Sequence, residues 1–188
     1  MRKAVKEWAA VIEALGQGKQ TLLIRTSPPP VNEFMLYPTL GRGQTLKPEY
    51  DALRQAADRL IKPDQVHIEY FCRVTDTLRI SLEKCLRLDK YFVWSSEHVE
   101  KYLTQGRGGT ACVWLVRAFK LPSVLVIPRT VGGNLSWYNH KEDVSTAGAV
   151  PVLNESDFGQ TTKVISKLCQ GGQLHSDVTV IKLSDGNL

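Results

Sequence analysis

At 188 residues and 43% hydrophobic content the chain can bury one sizeable core. Lysine and arginine number 24 against 19 acids, a net charge of +5, and this excess favours phosphate-rich or acidic partners. No apolar run approaches the ~20 residues that span a bilayer and nothing at the start reads as a signal peptide, so a cytoplasmic protein without membrane contact is expected.

Val5, Trp8, Ile12 and Leu15 recur at spacings of three and four, which predicts a helix stopped at Gly16 or Gly18. The competing reading is a hairpin turning at Gly16 to Lys19. Thr21 to Arg25 is β-rich, Pro28-Pro29-Pro30 reads as an extended crossing, and Phe34 to Tyr37 is a strand ended by Pro38. After a loop at Gly41-Arg42-Gly43-Gln44, Pro48 opens a helix whose inner face is Tyr50, Leu53, Ala57 and Leu60. Val66 to Val74 alternates cleanly, with Val66, Ile68, Tyr70, Cys72 and Val74 expected on one buried face.

Ser81 to Leu88 predicts a short helix, and Trp94-Ser95-Ser96-Glu97 caps another that runs through Leu103 to the break at Gly106-Arg107-Gly108-Gly109. Thr110 to Leu121 is apolar on both faces and is expected to be central in the sheet. Ser123 to Ile127, bounded by Pro122 and Pro128, reads as a separate strand, and the glycine-rich turn of Val131 to Trp137 returns Trp137 to the body. Asn154 starts a final helix with Phe158, Val164, Ile165 and Leu168 expected to face inward, and Val178 to Leu183 is an alternating tail. Residues 1–150 are expected to form the core domain and 151–188 a helix-and-strand appendage. Short strands and helices without a βαβ rhythm predict an α+β fold built on a curved sheet or small β-barrel.

Gly18-Lys19-Gln20-Thr21-Leu22-Leu23-Ile24-Arg25 resembles the glycine, lysine, threonine and arginine element of ASCH domains. These are PUA-like barrels that bind RNA or modified nucleic acid, so the resemblance implies a PUA-like fold with flanking helices. Leu23 stands where those domains carry an acid, which removes a catalytic group from the implied site. Lys6-Glu7-Trp8, Leu22 to Arg25, Phe34 to Thr39, Leu46-Lys47-Pro48 and Gly132 to Trp137 are together similar to a prokaryotic domain family of unknown function, common in cyanobacteria and archaea. The three prolines within Thr26 to Val31, and Leu40 to Gly43, depart from that family's pattern. Some of its members occur beside restriction-endonuclease-like domains, which implies an accessory part in restriction.

Lys19 and Arg25 frame one strand, either as phosphate contacts across a groove or as two solvated strand ends. Arg117 lies inside an apolar strand and needs a partner, either a ligand or a buried acid such as Glu69 or Glu13. Trp8 and Trp114 are expected in the core, whereas Trp137, beside Tyr138 and His140, is the expected stacking ring. Cys72, Cys85, Cys112 and Cys169 show no C-x-x-C pair and no histidine at finger-like distance, so they read as buried hydrophobes, with no metal and no cofactor expected.

Enzyme motifs are incomplete. No acid has a lysine two residues on, as a restriction-type nuclease requires, and His140-Lys141-Glu142 lacks the P-C-x-x-C of a zinc deaminase. The expectation is a non-catalytic module that binds DNA or RNA, with Lys19, Arg25 and Arg117 on phosphate and Trp137 and Tyr138 on a base. The alternatives are a hydrolase or nuclease using His67, Glu69 and Arg73, and a structural subunit whose tail docks on a protein partner.

Overall fold

A computed structural model describes the chain except residues 42–44, 106–107, 131–135, 171–178 and 181–188. The chain opens with strand β1 (Lys3–Trp8), and helix α1 begins only at Ala9 (Ala9–Gly16). The expected N-terminal helix is therefore half strand. β1 is buried on both faces, so Val5 and Trp8 satisfy a helical spacing by coincidence while belonging to an extended segment. Gly16 closes α1 against Tyr70, where a Cβ would lie 2.5 Å from the phenol ring carbon.

β2 (Leu22–Arg25) and β3 (Glu33–Thr39) follow. β3 runs through Pro38 rather than stopping before it. β4 pairs with β3 only at Glu33 to Met35, and β1 pairs from Met35 onward, so Pro38 sits where β3 is bonded on one side alone. That edge-like setting tolerates a residue without an N–H. Helix α2 (Asp51–Ala57) is entered through a 3-10 turn led by Pro48.

β4 (Gln65–Ser81) is longer than expected and its faces swap midway. Val66 and Ile68 join the smaller core with Phe71, while Tyr70, Cys72 and Val74 join the larger one. The cause is a register break: Ile68 pairs with Leu125 but Tyr70 pairs with Lys120, which leaves Leu121 to Val124 opposite Glu69 alone. The same break explains Pro122. Ser123 to Ile127 is not a separate strand but the far end of β5 (Thr110–Pro128), offset from the rest by this bulge.

Helices α3 (Leu82–Leu86) and α4 (Ser96–Thr104) start where the sequence places them, with Ser81 accepting from the Lys84 amide and Ser95 from the His98 amide. β6 (Trp137–Asn139), β7 (Val150–Pro151), α5 (Glu155–Gln170) and β8 (Thr179–Val180) complete the chain. Asn154 caps α5 by accepting from the Asp157 amide at 2.9 Å. Ile165 and Cys169 of α5 enter the larger core, whereas Val164, expected to face inward, is exposed one residue round the helix. Of the expected tail strand only Thr179 and Val180 are described, and they pair with Arg79 and Leu78 of β4. The glycine loops at 41–44 and 106–109 and the turn before Trp137 lie partly outside the described residues.

The sheet runs β2-β5-β4-β3-β1-β6, with β7 beside β5 and β8 beside β4. β1 and β3 are parallel and the other ladders antiparallel. β5 lies between β2 and β4, as its two apolar faces predict. The fold is α+β on a curved sheet, and among the described residues no ladder closes it into a barrel. No described helix is long and apolar enough to cross a membrane.

Candidate nucleic-acid interface

Four strand steps separate β2 from β1 in the sheet, and four separate β5 from β6. In a flat sheet each pair would stand about 19 Å apart. Instead the Arg25 guanidinium of β2 donates to the Glu7 carboxylate of β1 at 2.5 Å, and the Trp114 ring of β5 stacks against Trp137 of β6 with centroids 6.2 Å apart. The sheet curls until its ends face each other, and among the described residues no backbone pairing fills the seam between them. Side chains bridge it where main chain does not.

Alternation along β1 turns Val5 and Glu7 inward. Glu7 is 3% exposed, and its other oxygen accepts the Trp8 amide at 2.7 Å. Arg25 lies with its guanidinium carbon 5.6 Å from the Trp114 ring centre. The Trp114 indole N–H donates to the Ser27 carbonyl at 2.9 Å, which fixes the segment after β2 against β5. Phe34 touches both tryptophans edge-on, at 5.8 Å and 5.4 Å. Above these rings opens a cleft of about 440 Å³, walled by Val5, Arg25, Ser27, Tyr102, Trp114 and Trp137.

Charge in the cleft is balanced rather than open. Glu7 neutralises Arg25, so the guanidinium offers a flat face and directed donors more than an uncompensated field. His98, one turn before Tyr102 on α4, has its pKa lowered by burial, which the Glu7 charge partly offsets. Its ring packs edge-on against Trp94 at 5.4 Å. Such a site suits a flat, polar-edged ring better than a bare anion.

The five sequence-predicted binding residues fall into separate places. Arg25 and Trp137 share the cleft. Lys19 is exposed before β2, and Arg117 lies five residues beyond Cys112, the partner of Arg25, about 17 Å along β5. Arg117 pairs with Glu155 of α5 and lies over Phe119 and Phe158. Glu13 and Glu69, the acids expected for it, are both bound by Arg59, at 2.5 Å and 3.0 Å. Tyr138 follows Trp137 but faces the other side of the sheet, against Tyr37 at 5.1 Å.

Trp8 and Trp114 are core residues, 6% and 2% exposed. The set His67, Glu69 and Arg73 is divided, since Glu69 belongs to Arg59 while Arg73 pairs with Glu33 and covers Phe119. Sequence reasoning missed Glu7 and Tyr102. The signal for Glu7 was an acid alternating with Val5 and next to Trp8, apolar residues that the chain buries. All four cysteines are free and buried; burial raises each thiol, Cys85 to about 12 and Cys169 to about 11. Among the described residues no three His, Cys, Asp or Glu side chains gather as a metal site would need.

Fold and cleft together define a small α+β domain with a ligand-sized opening at the seam of a curled sheet. The family described as a domain of unknown function, DUF1802, matches residues 4–163, and the chain belongs to it. Among solved structures the chain is similar to ASCH from Zymomonas mobilis, at 13% identity and a TM-score of 0.43, over 87% of this chain and 93% of that one. It is also similar to two mutant forms of that Zymomonas mobilis protein. One matches at 13% identity and a TM-score of 0.45, covering 87% of this chain and 96% of the other, and the second at 12% and 0.44, covering 86% and 94%. No curated protein matches the chain.

Proposed function

We propose that the protein is a PUA-like, non-catalytic nucleic-acid-binding module that receives one base of DNA or RNA in the seam. The observation that carries this reading is the cleft itself: about 440 Å³, two stacked tryptophans, one tyrosine and a guanidinium 5.6 Å from an indole centre. Aromatic faces take any base, each stack contributing ~1–3 kcal/mol, and the net charge of +5 draws phosphate toward the surface. Trp137 supplies the stacking face and Arg25 the donors at its rim. Lys19, exposed ahead of β2, offers a phosphate contact outside the cleft, while Arg117 is held by Glu155 of α5. The likeness of Gly18 to Arg25 to the ASCH element supports the same reading, and the longer family resemblance carried by Lys6 to Trp8, Phe34 to Thr39 and Gly132 to Trp137 extends it to an accessory part in restriction or RNA and DNA processing.

Fluorescence anisotropy with labelled single strands tests it. Affinity falls as salt rises from about 50 to about 200 mM, Lys19→Ala lowers the logarithmic salt slope by about one, and Trp137→Ala weakens binding roughly 5- to 150-fold. Absent or salt-insensitive binding overturns the reading.

A further inference from the structure

The seam uses only one side of β6. Trp137 points inward to Trp114 and Phe34, but Tyr138, next in the chain, points to the opposite face. There it belongs to a second row of rings: Tyr37 at 5.1 Å on one side and His140 at 6.2 Å on the other, with the Lys6 ammonium 5.7 Å from the Tyr37 ring centre. Tyr37 is buried, its hydroxyl accepting from the Thr130 amide at 2.9 Å, so the row has a fixed base. Lys6, Tyr138 and His140 are each half-buried and open part of their surface to solvent. Nothing in the seam accounts for this row.

β6 is also an edge. It pairs with β1 on one side, and among the described residues nothing pairs with its other side. The two ring surfaces are thus separated by a single backbone. Cations flank both: Lys3 and Lys6 lie an odd number of residues apart on β1, so they take opposite faces, Lys3 exposed beside Asn139. The neighbouring acid Asp143 is held by the Met1 amine and Arg2, which reduces its repulsion of an approaching phosphate.

Resting on the base-in-seam reading, we propose that a single-stranded nucleic acid crosses the β6 edge. One base stacks on Trp137 inside the seam, the adjacent base stacks on Tyr138 on the opposite face, and the linking backbone passes over the free side of β6, with Lys3 and Lys6 one strand back on either face. Bases splayed in this way are available in single strands, whereas a duplex holds its bases paired and cannot straddle the edge.

The test uses the full chain with three probes: a fluorescein-labelled single-stranded hexanucleotide in DNA and RNA forms, the matching duplex, and a nucleoside monophosphate. Trp137→Ala and Tyr138→Ala each weaken the hexanucleotide roughly 5- to 150-fold, while only Trp137→Ala weakens the monophosphate, and the duplex does not compete. Tyr138→Leu keeps apolar cover over Tyr37 without a ring; it loses hexanucleotide affinity as Tyr138→Ala does, with an unchanged melting profile that excludes misfolding as the cause. If Trp137→Ala weakens the hexanucleotide and neither Tyr138 variant does, the edge crossing falls and the seam reading stands. If neither position matters, both fall.

Discussion

Arg25 and Glu7 meet at 2.5 Å across the one place where the curled sheet has no backbone ladder among the described residues. The pair does the joining that hydrogen-bonded strands perform elsewhere, and it does so with a carboxylate that is 3% exposed. Removing the base alone leaves an uncompensated buried charge.

Arg25→Ala is therefore expected to destabilise the protein by about 3 kcal/mol, since breaking one partner of a buried pair costs more than deleting both. The double variant Arg25→Met, Glu7→Gln recovers most of that loss. Urea denaturation of the wild type, both single variants and the double variant gives the coupling. Equal, additive losses would show that the pair does not bridge the seam.

Gly16→Ala places a methyl group 2.5 Å from the Tyr70 ring, which is itself 6% exposed and has little room to withdraw. Overpacking of this kind costs ~1–3 kcal/mol. In the background Tyr70→Leu the same glycine substitution is expected to be nearly neutral, because the ring it strikes is gone. Thermal melts of the four proteins check it.

His98 has a folded-state pKa below its ordinary value, because burial disfavours the imidazolium. The unfolded chain therefore binds a proton more readily than the folded one. The stability associated with neutral His98 is complete above the unfolded pKa, about 6.5, and is lost as pH falls below it toward the folded value. The melting temperature between about pH 7.5 and about pH 5.5 is expected to drop less steeply in His98→Gln than in the wild type. A parallel pair of curves would remove His98 from the pH response.

The four thiols are buried, and burial raises each of them, so at neutral pH none presents a thiolate. A disulfide-exchange reagent is expected to leave the native protein unlabelled over minutes and to titrate all four in guanidinium. Fast labelling of one thiol in the native protein would locate an opening that the static packing does not contain.

Local signals were the legible part. Ser81, Ser95 and Asn154 each cap a helix with an oxygen and an amide three residues apart, so sequence alone placed the starts of α3, α4 and α5. Long-range facts were not legible in this way. The alternation from Val66 to Val74 is real in the sequence, but the bulge that swaps its faces depends on how β5 loops out at Leu121 to Val124, some fifty residues later. The site shows the same division. Arg25 and Trp137 stand out as residues, yet their meeting depends on the curl of the whole sheet. Arg117 needed an acid, and the acid proved to be Glu155 on the last helix rather than one on a neighbouring strand.

β1 sits inside the sheet, with β3 on one flank and β6 on the other. During synthesis its second neighbour, Trp137 to Asn139, emerges only after most of the chain has been made. At roughly 5–20 residues per second that interval is about 7–26 s, during which one side of this strand has no companion. Until those residues arrive, the flank of β1 that later receives β6 is an open template for another chain.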